Sequence, residues 1–238
     1  MKKNLVLACV LSIFVQPAFA ANNINLTNFG TVQADFKKFS EDMGSALSYK
    51  AVTPAEPLGM IGFDIGIEVS STETKSLATA TGNSSLTSIV VPKLHAYKGL
   101  PLGIDVAAFY SAVPTTNITL IGGELRYAIL EGGVAMPAVA IRGAMTRLTG
   151  VDQLSFNTKS VDLSVSKGFA MLTPYAGVGN VWVESTPDAS LAPLEKVTVQ
   201  QVKTFAGVNL NLGLTNIAVE YDKTGDAASY SAKLGFRF

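Results

Sequence analysis

Beyond about residue 60, apolar and polar residues alternate with a period of two through most of the chain. From Ile61 to Ser71, Ile61, Phe63, Ile65, Ile67 and Val69 share one parity, and Gly62, Asp64, Gly66, Glu68 and Ser70 share the other. Successive side chains of a strand point to opposite faces, so this segment is a strand with one apolar and one polar face. The same pattern predicts strands at about Ser88–Tyr97, Leu102–Ala112, Asn117–Ile129, Ala138–Leu148, Leu154–Val165, Thr173–Val183, Val199–Leu212, Asn216–Asp222 and Ala228–Phe238. That makes about ten strands. One stretch has another period. Between Thr31 and Ser48, Val32, Phe36, Phe39, Met43 and Leu47 recur at helical spacing, with Lys37, Lys38, Glu41 and Asp42 on other faces. Pro54-Ala55-Glu56-Pro57 then forms a stiff linker into the first strand.

The connections alternate in kind. Lys98-Gly99-Leu100-Pro101 and Gly213-Leu214-Thr215 read as tight turns, whereas Ser71–Thr87 and Glu184–Thr198 read as longer polar loops. Short turns on one side and long loops on the other, with an even strand count, describe an antiparallel barrel whose ends return to one rim. Composition chooses the solvent of the apolar face. The chain is 48% hydrophobic and 15% charged, yet past its first residues no apolar run is long enough for a membrane helix. Outward aromatics are expected to sort by depth, with Tyr110, Tyr221 and Tyr230 at the loop ends and Tyr127, Tyr175, Phe236 and Phe238 at the turn ends, forming two interfacial girdles. The fold class expected is therefore all-β, an antiparallel transmembrane β-barrel with a short N-terminal helix.

The start of the chain agrees with export. Met1-Lys2-Lys3, the apolar stretch Leu5–Val15 and Pro17-Ala18-Phe19-Ala20 have the layout of a signal peptide cleaved after Ala20, which removes Cys9, the only cysteine. Three segments follow: a signal at 1–20, a helical segment and linker at 21–57 that caps the periplasmic mouth or plugs the lumen, and a barrel at 58–238. Net charge is zero, so nothing points to nucleic acid.

Candidate chemistry lies on the inward parity. Acidic Asp64, Glu68, Asp105, Glu124, Asp162 and Glu220 stand against basic Lys93, Arg126, Arg142, Lys203, Lys233 and Arg237, in equal numbers, with His95 among them. A selective pore keeps an excess of one sign along its path. A balanced set in a narrow barrel reads as a cross-linking charge network, leaving at most a narrow conduit. His95 is the only histidine, flanked at two residues by Lys93 and Tyr97, and it falls near the periplasmic end of its strand. A hydrolase site wants a serine or carboxylate partner for its base, and a metal site wants a second imidazole or a thiolate. No catalytic, cofactor or metal site is expected.

The end of the chain carries a resemblance. Tyr230, Ala232, Leu234, Phe236 and Phe238 alternate up to the C-terminus, which resembles the closing strand of bacterial outer-membrane barrels, whose assembly machinery reads a terminal aromatic residue. Ser40–Gly44, Ala55–Gly59, Lys98–Pro101 and Thr173–Gly179 are similar to an uncharacterised family of proteobacterial outer-membrane barrels. The resemblance implies an outer-membrane location, contact with outer-membrane lipid and lipopolysaccharide, and delivery by the barrel assembly machinery. It implies no activity. The expected function is a non-enzymatic, monomeric barrel for narrow passive transport of small solutes or for structural anchoring. Alternatives are a surface-loop interaction or adhesion protein and, third, a lipid-modifying enzyme.

Overall fold

The computed structural model describes residues 32–76, 87–112 and 118–238. The expected signal peptide, Thr31 and the expected fourth-strand start at Asn117 lie outside the described residues. Helix α1 (Gln33–Leu47) is followed by β1 (Phe63–Glu73), β2 (Ser88–Leu100), β3 (Ile104–Ala112), β4 (Thr119–Glu131), β5 (Ala138–Thr149), β6 (Leu154–Ser166), β7 (Leu172–Pro187), β8 (Val197–Leu212), β9 (Thr215–Thr224) and β10 (Ala227–Arg237). Each strand pairs antiparallel with its sequence neighbours, and β1 closes on β10, giving a closed ten-stranded antiparallel barrel. The seam is set by Ile65 opposite Phe236 and Ile67 opposite Leu234, and Phe63 and Phe238 exchange backbone hydrogen bonds beyond it. A bulge between Ala128 and Leu130 shifts the register of β4 against β5.

One rim, here the terminal end, holds the start of β1 and the end of β10. Its connections include the turn Gly213-Leu214, where Gly213 takes a positive φ of 76° that a residue with a side chain adopts at a cost. The opposite rim, the loop end, bears the β1–β2 and β7–β8 connections, but also the two-residue turn Gly225-Asp226 between β9 and β10. Both loops expected from sequence are shorter than predicted, because β1 continues to Glu73 and β7 to Pro187. A short 3-10 helix, Ala189–Leu191, sits in the second, with Asp188 Oδ1 accepting the Ser190 N–H at 3.0 Å. Hydrogen bonds from Ser190 hold the Asp188 carboxyl below the usual aspartate range.

The outer wall is apolar. Ile65, Val69, Leu94, Leu125, Ile141, Leu163, Val178, Val219 and Leu234 all stand exposed on it. A continuous apolar surface of this kind is foreign to a water-soluble monomer and suits a hydrocarbon surround.

The inside is filled by the chain itself. α1 lies in the lumen with its N-terminal end at the loop end, where Gln33 and Glu195 exchange two hydrogen bonds and Asp42 accepts from the Ser76 N–H and hydroxyl. From there the chain descends to the terminal end, and residues 44–55 are buried throughout. The expected alternative of a cap on the periplasmic mouth is corrected: the apolar face Phe36, Phe39 and Leu47 needs apolar partners, and these line the lumen at the opposite rim. Val52, deep in the descending segment, has a positive φ of 46°, a strained state for a β-branched residue that its packed surroundings impose.

Candidate functional site

The lumen has two layers. Toward the loop end it is apolar, because the inward residues there are Val91, Leu120, Leu148, Phe156, Val181 and Val183, and they pack on Phe36, Phe39 and Leu47 of α1. Leu191 and Leu194 of the β7–β8 connection fold in and join this cluster. Gly44 makes the fit possible, since a Cβ there would overlap the Val183 side chain. α1 therefore sits closer to β7 than a helix with a side chain at that position could.

Toward the terminal end the lumen is charged. Lys93 Nζ lies 2.7 Å from Glu68, and Arg126 reaches Asp105 at 2.7 Å. Arg142 and Lys203 share Asp162 at 3.0 and 3.5 Å, while Glu124 lies 3.8 Å from Arg142. Asp64 gathers Lys233 at 3.1 Å and Arg237 at 3.2 Å. Glu220 is buried on β9 with the others. Low dielectric makes each unpaired charge costly here, so near one-to-one pairing is what the burial demands. Ring faces add to it: Lys203 stands 5.1 Å and Arg142 5.2 Å from the Phe205 ring centre, and Lys233 stands 5.3 Å from that of Tyr97.

The descending segment is tied into this network mainly through its backbone. Lys203 donates to the Tyr49 carbonyl, the Tyr97 hydroxyl to the Ala51 carbonyl, and Arg126 to the Pro54 carbonyl at 2.6 Å. The Leu58 N–H donates to Asp105 and the Ala55 N–H to Ser166. Lys50 makes the one side-chain ion pair of this segment among the described residues, at 2.6 and 2.7 Å from the two oxygens of Asp222.

The structure buries the charges on the inward parity, and Arg237 at the rim is the least buried of them. Two charges were missed. Asp222 shares the parity of Glu220 and was within reach of the same reasoning. Lys50 belongs to no periodic segment and carried no signal. His95 is buried beside Asp64, with Nε2 3.8 Å from Oδ1, and meets Tyr97 edge-on. Neither ring nitrogen makes a hydrogen bond among the described residues, so no hydroxyl is aligned with it as a nucleophile would be.

Of the interface aromatics, Tyr110, Tyr127, Tyr221, Tyr230, Phe236 and Phe238 stand exposed on the outer wall. Tyr175 does not. It is 4% exposed and points into the lumen, on the parity of Thr173, Gly177 and Gly179. Its ring lies over Gly207 directly across the strand pair, just as Phe205 lies over Gly177. The glycines leave room inside a narrow barrel for aromatic rings, which is why this tyrosine turns inward. Trp182, the only tryptophan, is on the outer wall and was not singled out from sequence.

No family model matches the chain, and no curated protein matches it significantly. Among solved structures it is similar to a loop-deletion mutant of OmpT, an outer-membrane protein of Vibrio cholerae, at 12% identity over 63% of this chain and 54% of that one, with a TM-score of 0.34. The chain thus spans about half the length of that protein. It is also similar to Ail, the attachment invasion locus protein of Yersinia pestis, at 12% identity over 75% of this chain and 100% of that one, TM-score 0.33. A third is the KdgM porin in complex with disordered oligogalacturonate, at 8% identity over 74% and 99%, TM-score 0.38.

Proposed function

We propose that this protein is an integral, non-enzymatic barrel of the bacterial outer membrane whose lumen is closed by its own N-terminal segment. In this reading it anchors and presents its loop end at the cell surface. The observation that carries it is the unbroken burial of residues 44–55 along the barrel axis. The apolar outer wall, with tyrosines at both rims, supports the membrane assignment, and the alternation ending at Phe238 supports delivery by the barrel assembly machinery. His95 is buried beside Asp64 with no hydroxyl hydrogen-bonded to its imidazole, which favours a structural role over catalysis.

A second reading, narrow passage of small solutes, draws on one feature. The segment filling the lumen is not a strand of the barrel and is held by apolar packing, hydrogen bonds and one buried ion pair instead of a strand ladder, so its release would open a path. Single-channel recording of the full mature chain in a planar bilayer tests both. The closed reading expects silence from the native protein and opening bursts from Lys50→Glu, which sets a carboxylate against Asp222. Steady current through the native chain would sink the closed reading and make passage the working function.

A further inference from the structure

The outer wall carries an open cleft of about 750 Å³ on β4 to β8, near the loop end. Strand register builds it in two rows. Gly123, Met145, Lys159 and Trp182 lie opposite one another across consecutive strands. One step nearer the loop end, Ile121, Arg147, Asn157 and Glu184 form the next row. Arg147 and Lys159 are therefore diagonal neighbours on β5 and β6, with backbones roughly 7–8 Å apart and long side chains able to converge.

These two cations are out of character with the wall around them. Both are exposed, and neither makes an ion pair or hydrogen bond among the described residues. The one acid beside them, Glu184, is engaged with Lys196 at 3.1 Å. A cation on a lipid-facing wall costs free energy unless an anion meets it, although near the interface its stem lets the charge rise toward the headgroups. Arg147 sits two residues from the end of β5, the same distance that separates the interfacial Tyr110 from the end of β3. In the row of Lys159 the rest of the cleft is apolar, with Gly123 and Met145 on one side of the lysine and Trp182 on the other. Gly123 faces outward without a side chain, and a Cβ built there would touch only the Ala107 carbonyl, at 3.6 Å.

We propose that this cleft binds lipopolysaccharide: a lipid A phosphate lies between Arg147 and Lys159, and an acyl chain lies in the groove over Gly123 and Met145, with Trp182 flanking Lys159 on the other side. The charge of the two cations complements a phosphate, and the bare groove beside them complements a chain attached to it, which a free anion lacks. The proposal rests on the reading of the barrel as an outer-membrane protein with its loop end outward.

Trp182 is the only tryptophan of the chain, so its fluorescence reports on the cleft directly. The full mature chain in non-ionic detergent is titrated with bisphosphorylated lipid A, with dephosphorylated lipid A and with inorganic phosphate. A saturable spectral change with the phosphorylated lipid alone is expected. The double variant Arg147→Gln, Lys159→Gln should raise its half-saturation concentration by about tenfold or more, the scale of losing one charged hydrogen bond or two. Gly123→Ile, which fills the groove, should weaken it as well. Retained heat-modifiable gel mobility shows that each variant is folded, and the glutamine variant touches no lumen contact should the isoleucine fail. An equal response to dephosphorylated lipid, a response to inorganic phosphate, or a glutamine variant titrating like the native chain would each overturn the site. Fractionation of intact cells reads the membrane assignment separately: a chain found in the outer membrane that fails the titration refutes the cleft alone.

Discussion

Within the lumen each residue's worth depends on its partner. Glu68 and Lys93 are nearly solvent-free and lie 2.7 Å apart, with Ser70 donating to the same carboxylate. Removing one member leaves the other as an uncompensated buried charge, which costs about 3–5 kcal/mol. Lys93→Met should therefore destabilise the refolded barrel by about that much in urea titrations, and the double variant Lys93→Met, Glu68→Gln should recover most of the loss. Equal loss in single and double variants would mean that the lysine acts through packing instead. At this scale the inward charges were legible, because parity alone assigns a strand residue to a face. Tyr175 marks where that reading slipped: an aromatic near a strand end suits an interface as well as a lumen. Only the glycine opposite, Gly207, decides between them, and a pairing partner is not visible along a single strand.

Among the elements, α1 was legible as a helix and its apolar face as a contact surface. Its location was not. The signal existed in weak form: Ile89-Val90-Val91 and Val181-Trp182-Val183 are apolar on both parities, as strands covered on both faces are. Those double-sided stretches lie toward the loop end and are where α1 docks. Gly44 is the contact point, and glycine there gives up about 1 kcal/mol of helix propensity for close approach to Val183. Gly44→Leu should lift α1 off β7 at an overpacking cost of about 1–3 kcal/mol. Hydrogen exchange of the α1 amides should then accelerate while the strand amides keep their protection. Unchanged exchange in α1 would show that the helix is not held by this contact.

For the whole molecule, the direction of threading matters most. Val32 lies at the loop end and β1 begins at the terminal end, so the described chain threads the lumen from the loop end to the terminal end. Gln33→Cys, at an exposed position, should be labelled by a membrane-impermeant maleimide on intact cells, whereas Leu214→Cys in the Gly213-Leu214 turn should need permeabilised ones. Labelling at position 33 only after permeabilisation would mean that the barrel sits in the membrane the other way up.

The strand count, the inward and outward faces, the helix and the balance of lumen charge follow from the sequence by itself, since each is a local periodicity that burial on one face imposes. The register of β1 on β10, the pairing of Lys50 with Asp222, the inward turn of Tyr175 and the passage of residues 44–55 through the barrel were decided only in the tertiary structure. Each depends on which residues, far apart in the chain, meet across a narrow lumen, and a period of two or of 3.6 says which way a side chain points but not what it meets there.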